Sequence, residues 1–158
     1  MSSLVCVPIM VETVEAALAD AHQARVLGAD LVEFRIDGFF AGDGDDEGRL
    51  GVLQLAAESP VPCIVTCRAA DEGGEYEGDE SARISLYEAL GASDHPPAYL
   101  DLEHASFTRS ANLRQKALLS VAHAAQPRDL STGLILSMHD FEARPTDLFT
   151  RLAAMREV

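Results

Sequence analysis

A parallel α/β fold is predicted, and within that class the first five βα units of an eight-stranded (β/α)8 TIM barrel. Three observations carry the prediction. Short β-rich runs alternate five times with longer segments of helical period, the pattern of parallel α/β folds. No linker or break in composition interrupts the 158 residues, which at about 150 residues per domain make one domain, large enough for a core without disulfides or a structural metal. In four successive strands, ionisable residues fall on one face and toward the carboxyl end.

The first strand is expected at about 4–9, Leu-Val-Cys-Val-Pro-Ile, and the first helix at about 11–27. In that helix Val14, Ala17, Leu18, Ala21 and Ala24 form one apolar stripe, and Gly28 follows as a stop signal. The second unit is a strand at 31–37 and a helix at 46–58, and the third a strand at 62–68 and a helix at 80–91. The fourth pairs a strand at 98–103 with a helix at 107–125. The fifth strand, 133–139, leads to a helix at 145–157 that opens at Pro145-Thr146-Asp147 and carries Leu148, Leu152 and Met155 on one face.

Five such units could close a doubly wound sheet or form five-eighths of a barrel, and the strand faces separate the two. Side chains alternate along a strand, so Glu33, Arg35 and Asp37 share one face, Thr66 goes with Arg68, Asp101 with Glu103, and Ser137 with His139. The opposite faces read Val32/Phe34/Ile36, Val65/Cys67, Leu100/Leu102 and Leu136/Met138. A strand covered by helices on both sides would read as nearly continuous apolar residues. Charged groups converging at the carboxyl ends of parallel strands mark the mouth of a barrel.

Composition narrows the partners. The longest uncharged apolar stretch, around Leu130 to Met138, is about half of the roughly 20 residues that cross a bilayer, so no membrane span is expected. A net charge of −14 argues against nucleic acid or an anionic membrane as a partner, while leaving room for a small anionic substrate held by a few arginines. The start, Met-Ser-Ser-Leu-Val-Cys, has no basic n-region or cleavage site, which points to the cytoplasm. Cys6, Cys63 and Cys67 are an odd number in apolar runs with neither zinc-ribbon nor thioredoxin spacing, and are expected buried and reduced.

Two segments carry chemistry. Thr66-Cys-Arg68 runs into Ala-Ala-Asp-Glu72-Gly73-Gly74. An arginine fork at a strand tip beside a glycine turn suits an anionic or hydroxylated ligand, and the same Arg68 could instead cap its loop through Glu72. Ser137-Met-His139-Asp140-Phe141 places an imidazole at a strand end, where it can serve as general acid or base. His22, His95 and His123 fall in helices or a turn and are expected to be structural or solvated, and His104 points away from the pocket. The acidic loop 43–48 lacks the final carboxylate of a calcium loop, since the twelfth position is Gln54.

Together Glu33-Phe-Arg35-Ile-Asp37, Thr66-Cys-Arg68 with Glu72-Gly73-Gly74, Asp101-Leu-Glu103, and Ser137-Met-His139-Asp140-Phe141 followed by Pro145 resemble type I 3-dehydroquinate dehydratase. The resemblance runs through the whole chain in order. It departs at Met138, where the family often has a polar or aromatic residue, and parity puts that side chain on the helix side. It implies a lyase of the shikimate pathway of aromatic amino acid biosynthesis that dehydrates 3-dehydroquinate to 3-dehydroshikimate through a lysine Schiff base, without a cofactor or metal. His139 would be the general acid/base and Glu72 its orienting carboxylate. Glu33, Arg35 and Arg68 would bind the substrate's hydroxyls and neighbouring polar groups, with Asp101 and Glu103 standing behind them.

The family's imine lysine lies on the strand after the one carrying the histidine, and the sequence ends before such a strand. The sole lysine, Lys116, sits in a helix. A barrel of about 250 residues leaves roughly a third outside these 158, so the chain is expected to be a fragment of a dehydratase or of a larger fusion, inactive alone. Its fifth strand, around Leu134-Ile-Leu-Ser-Met, is expected to associate as an open edge, whereas an intact enzyme would form a homodimer, if any, through its helices. Two other classes fit the same residues. A divalent-metal barrel enzyme could use Glu33, Asp101, Glu103 and His139 as ligands, although Arg35 and Arg68 would repel the ion. A non-catalytic half-barrel binding module is the other.

Overall fold

The computed structural model describes residues 3–125, 132–141 and 143–156, with no side chains given for 123–125, so the side chain of His123 lies outside the described residues. Five strands, β1 (Cys6–Met10), β2 (Leu31–Arg35), β3 (Cys63–Thr66), β4 (Tyr99–Glu103) and β5 (Gly133–Ser137), form one sheet. Every neighbouring pair is parallel and the order is sequential, β1-β2-β3-β4-β5. That order winds in one direction, as a barrel wall does, and lacks the reversal of a doubly wound sheet.

Each crossover contains a helix: α1 (Val14–Val26), α2 (Asp46–Glu58), α3 (Glu80–Ala92), and the consecutive pair α4 (His104–Arg109) and α5 (Ala111–Ala125), with α6 (Leu148–Arg156) after β5. Their starts are set by side-chain caps. Thr13 Oγ1 accepts from Ala16 N at 3.2 Å, Asp45 Oδ1 from Gly48 N at 2.9 Å and Asp79 Oδ1 from Ser81 N at 2.6 Å, satisfying amides that have no partner within the helix. The predicted helix at 107–125 is divided at Ser110, whose backbone is extended (φ −153°, ψ 153°) and whose hydroxyl accepts from Leu113 N at 3.2 Å. A serine that caps a new helix breaks the old one.

The core lies between the helices and the outward face of the sheet. Val32, Phe34, Ile36, Val65, Cys67, Leu100 and Leu102 meet Ala17, Ala21, Val52, Leu55, Ile84, Tyr87, Leu90 and Phe107, all buried. Burying a full aliphatic or aromatic side chain contributes about 1.5–3 kcal/mol, so this face pins the register: a slip of one residue would turn the same apolar set onto the other face. Register aligns Arg35 with Thr66 and Thr66 with Asp101, and Glu103 with Ser137, so the polar parity read from single strands becomes one continuous inward surface.

Three expectations are corrected. Cys6 is exposed, not buried, because it is on the inward face of the edge strand β1, where Met10 is also 52% exposed. The apolar face of α6 buries no residue, and Leu152 is 45% exposed. Strands β2, β3 and β5 end two residues earlier than predicted, at Arg35, Thr66 and Ser137. The ladder yields there to side chains: Cys67 N donates to Tyr87 Oη at 3.2 Å and Ala69 N to Glu103 Oε1 at 3.0 Å. Asp37, Arg68 and His139 therefore stand just beyond the sheet.

Candidate active site

Arg68 lies across the inward faces of β4 and β5, only 5% exposed. Its Nη2 is 2.8 Å from Asp101 Oδ1 and its Nη1 donates to Ser137 Oγ at 2.5 Å, while Glu103 Oε1 is 3.6 Å from Nη1. Ser137 Oγ in turn donates to Asp101 Oδ1 at 2.9 Å. Burial pushes the Asp101 carboxyl above its ordinary value, and the Arg68 charge and the Ser137 hydroxyl pull it back only in part. Arg68 thus pairs with β4 and β5 and not with the Glu72 of its own loop.

The loop after β3 is shaped by its glycines. Residues Ala70–Glu72 make one 3-10 turn closed by Gly73 in the left-handed region at φ 80°, which a residue with a Cβ seldom adopts. A Cβ at Gly74 would overlap the Arg68 carbonyl, which instead accepts from Tyr76 N at 3.1 Å. The turn carries Glu72 to β5. Its Oε2 accepts from His139 N at 3.0 Å and lies 3.1 Å from His139 Nδ1. An ionised carboxylate only accepts, so Nδ1 carries the proton in this contact and Nε2 of a neutral ring is left as the acceptor. The ring is 34% exposed and stacks on Phe141, with centroids 6.4 Å apart. Met138 faces the helices, its sulfur 3.3 Å from Arg151 Nη1 of α6.

On β2, Arg35 uses Nε and Nη2 to grip both oxygens of Asp37 at 2.8 and 3.0 Å. Asp37 Oδ2 also accepts from Glu75 N at 3.0 Å, fastening the 70s loop to β2. Glu33 Oε1 accepts from Thr66 Oγ1 at 2.7 Å. Burial alone would raise the Asp37 carboxyl, but the Arg35 hydrogen bonds and charge, with the Glu75 amide, hold it below the usual range. A carboxyl depressed on folding adds stability above its unfolded value of about 3.9 and loses it as pH falls through the folded value. Asp37→Asn is therefore expected to destabilise the chain at pH 6, with the gap to the parent closing as pH falls toward the folded value. Urea unfolding across that range checks this; a gap independent of pH would contradict it.

Two residues at this site escape a motif reading. Arg83 and Tyr87 project from α3 between the carboxyl ends of β3 and β4, and both are fully buried. Tyr87 Oη accepts from Cys67 N and donates to the Asp101 carbonyl at 2.7 Å. Arg83 Nη1 donates to the Cys67 carbonyl at 2.6 Å and lies 2.7 Å from Glu103 Oε2. Its Nη2 donates to Glu80 at 2.7 and 3.0 Å and to Ser106 Oγ at 2.9 Å. The available signal was an arginine inside the apolar stripe of a helix, at Ala82-Arg83-Ile84, four residues before Tyr87.

Asp101 and Glu103 are engaged by guanidinium groups, and among the described residues no three His, Cys, Asp or Glu side chains gather in a way that could hold a metal ion. No described helix is long and apolar enough to cross a membrane. A cleft of about 680 Å³ between the starts of α1 and α2, lined by Thr13, Phe39, Asp46 and Leu50, contains none of the strand-end residues described above.

Sequential parallel strands that bring an arginine, several carboxylates and a histidine–carboxylate pair to their carboxyl ends define part of a (β/α)8-barrel fold with its polar groups at the strand-end mouth. The chain belongs to the type I 3-dehydroquinase family, whose model matches residues 5–158. It is similar to the 3-dehydroquinate dehydratase of Klebsiella pneumoniae subsp. pneumoniae, 30% identical over 159 residues, which cover 99% of this chain and 59% of the relative. It is 37% identical over 105 residues to the chloroplastic bifunctional 3-dehydroquinate dehydratase/shikimate dehydrogenase of Arabidopsis thaliana, covering 64% of this chain and 16% of that one. The fold matches the crystal structure of a type I 3-dehydroquinate dehydratase from Clostridium difficile with a TM-score of 0.78 at 20% identity, over 98% of this chain and 58% of that chain. The chain therefore spans less than two thirds of these relatives.

Proposed function

We propose that this chain supplies the acid–base and substrate-binding half of a 3-dehydroquinate dehydratase, residues 1–158 being the first five βα units of an eight-unit barrel. The observation that carries the reading is the His139–Glu72 pair beside Arg68 and Arg35 on one inward surface. In the reaction a substrate ketone condenses with a lysine amine to an imine, which acidifies the adjacent C–H. His139, its Nδ1 proton held by Glu72, takes that proton at Nε2 and returns a proton to the departing hydroxyl, which leaves as water, after which water hydrolyses the imine and frees the product ketone and the lysine amine. Glu33, through the oxygen not bonded to Thr66, and Arg35, through the nitrogen not bonded to Asp37, bind ring hydroxyls. Arg68 exchanges its hydrogen bond to Ser137 for one to substrate. On this reading the protein acts in the shikimate pathway.

Among the described residues none puts an amine at this site: the sole lysine, Lys116, is on α5 in the helix layer. The 158-residue chain is therefore expected to bind 3-dehydroquinate without turning it over and without forming a borohydride-trappable adduct. Calorimetry, a turnover assay and mass spectrometry after reduction test this. Absence of binding, or a reduced adduct on Lys116 with turnover, would contradict the reading.

A further inference from the structure

We propose that Arg83 is a positioning residue for Arg68. The inference deepens the dehydratase reading by naming what holds its substrate-binding guanidinium ready. Arg83 reaches Arg68 by two routes. Through the backbone, its Nη1 holds the Cys67 carbonyl, the peptide group that leads directly into Arg68. Through the side chains, it takes the Oε2 oxygen of Glu103 at 2.7 Å while the other oxygen stays 3.6 Å from Arg68.

Glu103 is the shared element. It is 2% exposed and lies between two guanidinium groups. A buried carboxylate must have a positive partner. With Arg83 present that partner is behind the sheet, and Arg68 keeps a loose contact to Glu103 and directs Nη2 to Asp101. Without Arg83 the nearest cation is Arg68, and Glu103 draws it back from the inward surface.

The arrangement is also costly, which stability alone does not explain. Arg83 Nε and Glu103 Oε2 are buried without an aligned hydrogen bond, the latter in spite of its short ion-pair distance. Buried ion pairs are commonly no better for stability than apolar side chains of the same volume. A burden retained beside the site's own arginine fits a role in geometry. Glu80 and Ser106, which share Nη2, fix the guanidinium plane from α3 and α4.

The test compares the 158-residue chain with Arg83→Met and with Arg83→Met/Glu103→Gln, by the nitrogen-15 Nε–Hε signal of Arg68 and by calorimetric binding of 3-dehydroquinate. Arg83→Met is expected to shift the Arg68 signal and weaken binding about tenfold, the equivalent of one charge-assisted hydrogen bond. The double variant leaves no carboxylate at position 103 to capture Arg68, so its signal and binding return toward the parent. An unmoved Arg68 signal in a folded Arg83→Met, or a double variant no closer to the parent than the single one, overturns the proposal. If Arg83→Met does not fold, the double variant decides: folded with a parent-like Arg68 signal supports the role, and folded with a displaced signal, or unfolded, overturns it. A parent that does not bind 3-dehydroquinate refutes the dehydratase reading instead, while the Arg68 signal still tests Arg83.

Discussion

In a dehydratase whose imine lysine is present, His139→Ala is expected to lower turnover by about 10²–10⁴-fold, the usual contribution of a placed acid or base, while borohydride still traps substrate on the lysine. Two groups share the work: the amine makes the covalent bond and the imidazole moves protons. Only the second is removed. Glu72→Gln should give a smaller loss of the same kind, because an amide can still meet the His139 backbone N but can also donate to Nδ1 and favour the tautomer protonated at Nε2. Trapping that vanishes in a well-folded His139→Ala would show the imidazole to be needed for imine formation itself. Turnover close to the parent would remove His139 from the mechanism.

Arg68→Met is expected to have the largest effect on stability, about 3–5 kcal/mol, because it leaves buried carboxylates facing one another without the charge that joins them. Asp101 and Glu103 both lie within 4 Å of the Arg68 guanidinium, and Arg83 compensates Glu103 alone. The loss should depend on pH in a definite direction. Burial already raises Asp101, and deleting its cation raises it further. A carboxyl raised on folding favours the folded state most below its unfolded value of about 3.9 and loses that advantage as pH climbs through the folded value. The penalty of Arg68→Met should therefore be full at pH 7 and shrink as pH is lowered toward 4. Urea midpoints at several pH values measure it; a penalty that grows on acidification would show that Asp101 is not the group left uncompensated.

Much of this protein was legible before any coordinates. Strand parity placed Glu33, Arg35, Thr66, Asp101 and Ser137 on one surface, since alternation along a strand is a local property that any register of the right phase preserves. Helix periods located α1, α2, α3, α5 and α6 but not the short α4 as a separate helix, and the grouped motifs pointed to the family to which the chain belongs. Local patterns failed where distant groups compete for one chain segment. Ser110 looked like helix interior until its hydroxyl was found capping α5. Cys6 looked like core until its strand was found at the sheet edge with its inward side open. The family resemblance already implied Glu72 as the partner of His139, 67 residues away; only the tertiary structure decided that Arg68 belongs to Asp101 and Ser137 on the next two strands and not to Glu72. It alone put Arg83 between Cys67 and Glu103. Periodicity records which face a residue takes, because that is set by its immediate neighbours along the backbone. The choice among several carboxylates for one guanidinium is made by distance across the sheet, which packing sets and no stretch of sequence contains.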